Sequence, residues 1–190
     1  MATRADFTPE EWQSLERAPV FVAFATLAAD MSGPIGLVKE MEALSQALEE
    51  NALPAESDPA HALIAVVAAD LRATQSSGQG WGQVLGEGDD PDSEQDKEHP
   101  SAVPGSGLDF SSPERVKTPA LAACRAAAEL LSRKTTPEEA EAFGRWAVSV
   151  GRHVAEAAKE GGFLGIGGTR VSEKERATLD ELASALGAPA

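Results

Sequence analysis

Apolar residues along this chain recur at spacings of three and four. Val20, Phe21, Phe24, Leu27, Ala28 and Met31 leave little polar face, the pattern of a helix buried nearly all round. Leu37, Met41, Leu44 and Leu48 make one stripe of a helix expected over 35–50, with Glu40, Glu42 and Glu49 away from it. Leu63, Ile64, Val66, Val67 and Leu71 again surround most of their axis. Further on, Leu121, Cys124, Ala128 and Leu131 form an apolar face. Phe143, Ala147, Val150, Val154 and Ala157 form another, opposite Glu141, Arg145, Arg152 and Glu156. Leu179, Leu182, Ala183 and Leu186 point inward from a last helix. Alternating β-branched runs of strand length are absent. The pattern predicts an all-α class: a compact bundle of about six to seven helices.

The starts and stops of these helices carry a repeat. Thr8-Pro9-Glu10-Glu11 returns as Thr136-Pro137-Glu138-Glu139. In each copy the threonine suits the N-cap and the proline suits the first helical position, where its missing N–H costs nothing. The glutamate three residues after the threonine has capping-box spacing. The first helix is expected to stop near residue 17, at Ala18-Pro19, and a second to run from Val20 to Met31. Asp58-Pro59, and then Ser112-Pro113 or Thr118-Pro119, mark later starts. The helix from Thr136 should be long: roughly 24 residues at ~1.5 Å each give roughly 36 Å. Ser172 and Glu175 form a third capping box, and Gly187 suits the position just past a helix end. Two helix–loop–helix units, with other helices between them, account for this layout.

Composition changes the picture at one place. From about 76 to 112 glycine, serine, proline and acid dominate, and the stretch from Glu87 to Glu98 holds seven acids against Lys97 alone. Such a segment cannot bury enough apolar surface to offset its ordering entropy, so a single domain over 1–190 with a flexible acidic insertion is expected. Trp81, Val84 and Leu85 are the residues in it suited to docking. The alternating oxygen ligands, central glycine and terminal glutamate of an EF-hand loop are not met by Asp89-Asp90-Pro91-Asp92. The formal net charge of −15 disfavours nucleic acid as a partner. The single cysteine, Cys124, reads as core filling. No signal peptide and no apolar run of membrane-spanning length is present, so a soluble cytoplasmic protein is expected, with peripheral membrane association left open.

Candidate chemistry is sparse. His61, His99 and His153 are far apart, and no G-x-S-x-G, H-E-x-x-H or Glu-x-x-His pattern occurs. A non-enzymatic protein is expected. The loop at 161–168 contains Gly165-Ile166-Gly167 but has Arg170 where a dinucleotide fingerprint needs its third glycine, and it follows a helix. Its apolar residues Phe163, Leu164 and Ile166 either fold back onto the core, the favoured account, or form a contact for a protein partner or a membrane surface. The acids at helix ends are the polar candidates. Asp30 and Glu160 stand where helices stop, and Glu40 and Glu175 where the next ones begin. Together they could hold a hard divalent cation, the one cofactor suggested; capping and surface charge are the plainer account of each alone.

In the second unit, Ala158-Lys159-Glu160-Gly161, then Val171-Ser172-Glu173-Lys174-Glu175, then Leu179, Leu182 and Ala185-Leu186-Gly187 resemble the tellurite-resistance TerB family and its TerB-like relatives. Ala29-Asp30-Met31-Ser32-Gly33 with Lys39-Glu40 would be the first copy. The resemblance covers about half of the chain. Glu160 stands in place of the usual aspartate, residues Leu164 to Arg170 are an insertion, and Gly33-Pro34-Ile35 is unlike the family. It implies an all-α fold of about seven helices with pseudo-twofold symmetry and a role in stress-response assemblies near the membrane. It also implies metal binding by acids matching Asp30, Glu40, Glu160 and Glu175. The expected function is therefore a stress-response or scaffold protein that binds a divalent metal. The alternative is a metal-independent interaction module using the loop at 161–168.

Overall fold

The computed structural model describes residues 2–30, 61–76, 84, 108–160 and 171–188. Within them the chain is all-helical. A short 3-10 turn at Arg4–Asp6 leads to α1 (Pro9–Ala29), followed by α2 (Ala62–Ser76), α3 (Pro113–Lys134), α4 (Pro137–Glu160) and α5 (Glu173–Ala185), with no strand among the described residues. The helix expected over 35–50 lies outside the described residues, as does most of the segment 76–112.

α1 corrects the sequence reading. One continuous helix replaces the two expected on either side of Ala18-Pro19, and Pro19 sits inside it. An internal proline removes the donor for the Leu15 carbonyl and crowds it, at a cost of about 3 kcal/mol. Burial on both sides outweighs that cost. Leu15, Ala18, Val20, Phe21, Phe24 and Leu27 are all core residues, and each large apolar side chain contributes about 1.5–3 kcal/mol when fully buried. α3 makes the same choice. It starts at Ser112-Pro113, and Pro119 is carried within it.

α1 is the central element, in contact with α2, α3, α4 and α5. Helix directions follow from side-chain contacts. Lys134, at the end of α3, reaches Glu11 at the start of α1, and Glu139, at the start of α4, reaches Ala2. α1 and α4 therefore begin at one end of the bundle, and α3 ends there. α5 ends there too, because Gly144 near the start of α4 lies against Leu186 and Ala188. Midway along, a Cβ placed on Gly151 of α4 would stand 2.7 Å from Val22 Cγ1 and 3.1 Å from both Thr26 Oγ1 and Leu179 Cδ2, so glycine lets α4 approach α1 and α5 closely. Thr26 is fully buried there, and its hydroxyl donates to the Val22 carbonyl at 2.7 Å.

The helix ends behave largely as their sequences predict. α4 runs the full 24 residues from Pro137. α5 is stopped by Gly187 at φ +69°, with Gly187 N–H donating to the Ser184 carbonyl and Ala188 N–H to the Ala183 carbonyl, the paired bonds of a Schellman motif. Of the segment expected to be an insertion, Val84, Leu108 and Phe110 are buried, and Phe110 meets Phe24 edge-on at 5.8 Å. Val84 is among the residues expected to dock; Trp81 and Leu85 lie outside the described residues. Cys124 is core, as its sequence context implied, and burial pushes its thiol up to about 12, so no thiolate nucleophile stands there at neutral pH.

Candidate functional site

Both copies of Thr-Pro-Glu-Glu are capping boxes. Thr8 N–H donates to Glu11 Oε2 at 2.8 Å and Glu11 N–H to Thr8 Oγ1 at 3.3 Å. Thr136 N–H donates to Glu139 Oε2 at 3.0 Å and Glu139 N–H to Thr136 Oγ1 at 3.3 Å. Their surroundings differ. Glu139 is 4 % exposed and its other oxygen accepts the Ala2 N–H at 3.0 Å, whereas Glu11 is partly solvated and paired with Lys134 at 2.5 Å. Lys134 also donates to the Asp6 carbonyl at 2.8 Å and lies 5.4 Å from the centre of the Phe7 ring. The N-terminal strap, residues 2–8, is thereby fastened across the starts of α1 and α4.

Of the acids singled out as metal ligands, Asp30 is the exposed C-cap of α1, and Glu175 is 3 % exposed with its Oε2 accepting the Ser172 N–H at 2.6 Å. Glu160 ends α4 with its side chain outside what is described, and Glu40 lies outside the described residues altogether, as do Phe163, Leu164 and Ile166. The helix ends that carry Asp30 and Glu175 do come together, since Ala29 and Thr178 wall one cavity. No group of three or more potential ligand side chains clusters among the described residues.

Sequence reasoning passed over a polar knot between α1 and α2. The 3-10 turn, closed by Thr3 N–H on Asp6 Oδ2 at 2.8 Å, sets Arg4 over the Trp12 ring, 5.0 Å from its centre. Phe7 packs on the same indole at 5.7 Å. The Arg4 guanidinium is ion-paired with Asp70. Trp12 Nε1–H is shared between Asp70 Oδ2 at 3.0 Å and Glu16 Oε1 at 3.1 Å. Arg4, Trp12, Glu16 and Asp70 line a groove of about 510 Å³, whose wall continues through Glu10 and Thr74 to Val84. Arg17 Nε donates to the Val84 carbonyl at 2.9 Å, which fixes that wall to α1.

Glu16 is the electrostatic exception. Burial raises its carboxyl above the ordinary value, and the Arg4 charge and Trp12 N–H only partly oppose that. Arg4 is committed to Asp70, so Glu16 has no ion-pair partner among the described residues. The available signals were modest: Trp12 and Glu16 share a helix face at i,i+4, and Asp70 interrupts the apolar run from Ala62 to Leu71.

No family model, curated protein or solved structure matches this chain. No helix among the described residues is long and apolar enough to cross a membrane.

Proposed function

We propose that this chain is a non-enzymatic binding module whose groove between α1 and α2 takes a lysine or arginine side chain from a basic segment of a protein partner. The observation that carries this is Glu16: a half-buried carboxylate at the groove wall, its charge disfavoured by desolvation and without an ion-pair partner among the described residues. An incoming ammonium or guanidinium supplies the missing charge, and the groove wall at Pro9 and Ala73 gives its apolar stem a surface. The formal net charge of −15 steers cationic segments toward the molecule and makes their association salt-dependent.

The test is calorimetric titration with a lysine-rich peptide and with its glutamine-substituted counterpart. The lysine peptide should bind, and Glu16→Gln should weaken it by about tenfold or more. The cation pairs with the ionised carboxylate, so affinity should fall as pH drops through the raised Glu16 value. Equal binding of the two peptides, or an unaffected Glu16→Gln variant, would refute the proposal.

A further inference from the structure

A second cavity, of about 340 Å³, opens away from the strapped end of the bundle, where α1 stops and α3 and α5 begin. Ala29 gives it an apolar wall, and its polar lining comes from Glu114 and Lys117 on α3 and from Lys174, Thr178 and Glu181 on α5. Two of these charges cancel: Lys117 pairs with Glu181 at 3.2 Å. That leaves one cation, Lys174, and one anion, Glu114, each without an ion-pair partner among the described residues. Thr178 is 6 % exposed, and its hydroxyl makes no hydrogen bond with any described residue. The N-cap of α3, Ser112, makes no side-chain capping bond; Arg115 N–H donates to the Ser112 carbonyl at 3.1 Å, and the Glu114 N–H keeps donor capacity.

We propose that this cavity binds a small zwitterion of the α-amino acid class. The ligand carboxylate is taken by the Lys174 ammonium, the Thr178 hydroxyl and the Glu114 N–H, and its ammonium by the Glu114 carboxylate. A ligand with a single charge would satisfy only one of the two unmatched side chains. The volume lies at the small end of the range for ligand sites, about 300–1,000 Å³, which suits a molecule of few heavy atoms.

The experiment is calorimetry on the full chain with glycine and L-alanine, with acetate and methylammonium chloride as single-charge controls. The amino acids should give saturable heat, and each control should bind weaker by about tenfold or more. Lys174→Gln, an exposed position, and Thr178→Val, a near-isosteric change, should each lower amino-acid affinity to a similar degree while the far-UV spectrum stays that of the parent. No heat with either amino acid overturns the proposal. Acetate matching glycine also overturns it, since the site would then be a simple anion site, and so does Lys174→Gln binding like the parent protein.

Discussion

The two Thr-Pro-Glu-Glu segments have the same sequence and the same capping geometry, yet they do different work. At α1 the box is partly open to solvent. The Glu11 side chain is 28 % exposed and Lys134 29 %, and their pairing is a contact that water and salt can replace. At α4 the box is sealed. Glu139 is almost fully buried and holds two backbone N–H groups, Thr136 from its own cap and Ala2 from the far end of the chain. Identical local codes thus become a surface cap in one place and an internal fastening in the other. The difference arises from what the fold lays over each.

The sharpest way to break this contrast is Glu139→Ala. It strands the Ala2 and Thr136 N–H groups in a dry setting, and a loss of about 2–3 kcal/mol in urea unfolding is expected. A loss no larger than that of a surface glutamate would mean that the two boxes are equivalent. Next in size are the threonines. Thr8→Ala and Thr136→Ala each remove one cap acceptor, and each should cost about 1 kcal/mol because both hydroxyls sit at the same distance from their donors. A clear inequality in thermal melts would locate the difference in the caps and not in the glutamates. Glu11→Gln should have the smallest effect, and raising the salt concentration should erase it while leaving the Glu139→Ala deficit intact.

Acid should separate Glu11 from Glu16 by sign. The Lys134 ammonium first, then the Thr8 N–H, hold the Glu11 carboxyl below its ordinary value. Its contribution is present above the unfolded-state value and lost as pH falls through the lower folded one. Glu16 runs the other way, because its folded value is raised. The stability tied to its protonation is present below the unfolded-state value and lost as pH rises through the folded one. Glu16→Gln should therefore melt higher than the parent at neutral pH, with the gap closing in acid, even as it loses affinity for the lysine peptide. Stabilisation together with lost binding is expected when a site keeps an unfavourable charge for a partner.

What could be read from the chain tracks how local the cause is. Caps at Thr8, Thr136 and Ser172, the full length of α4 and the stop at Gly187 depend on neighbours within a turn or two, and they are legible. The error at Pro19 came from weighing a local penalty without the tertiary burial that outweighs it. The groove was barely legible. Arg4, Trp12, Glu16 and Asp70 acquire meaning only when α2 lies against α1, and no spacing in the chain announces that contact. Glu175 has two uses in the sequence, the capping box with Ser172 and a place in a cation site, and the carboxylate that accepts the Ser172 N–H shows the first of them.

The bond from Ala2 to Glu139 joins residues 137 positions apart. Helices can form within their own short stretches of chain, but this fastening cannot close until α1 and α4 have already found each other. Closing so long a span is a large entropic step, and contacts of this kind slow folding relative to bundles built from adjacent helices. The strap is thus a late arrival on the way in. On the way out it is the place where a chain under tension from its amino end would begin to open.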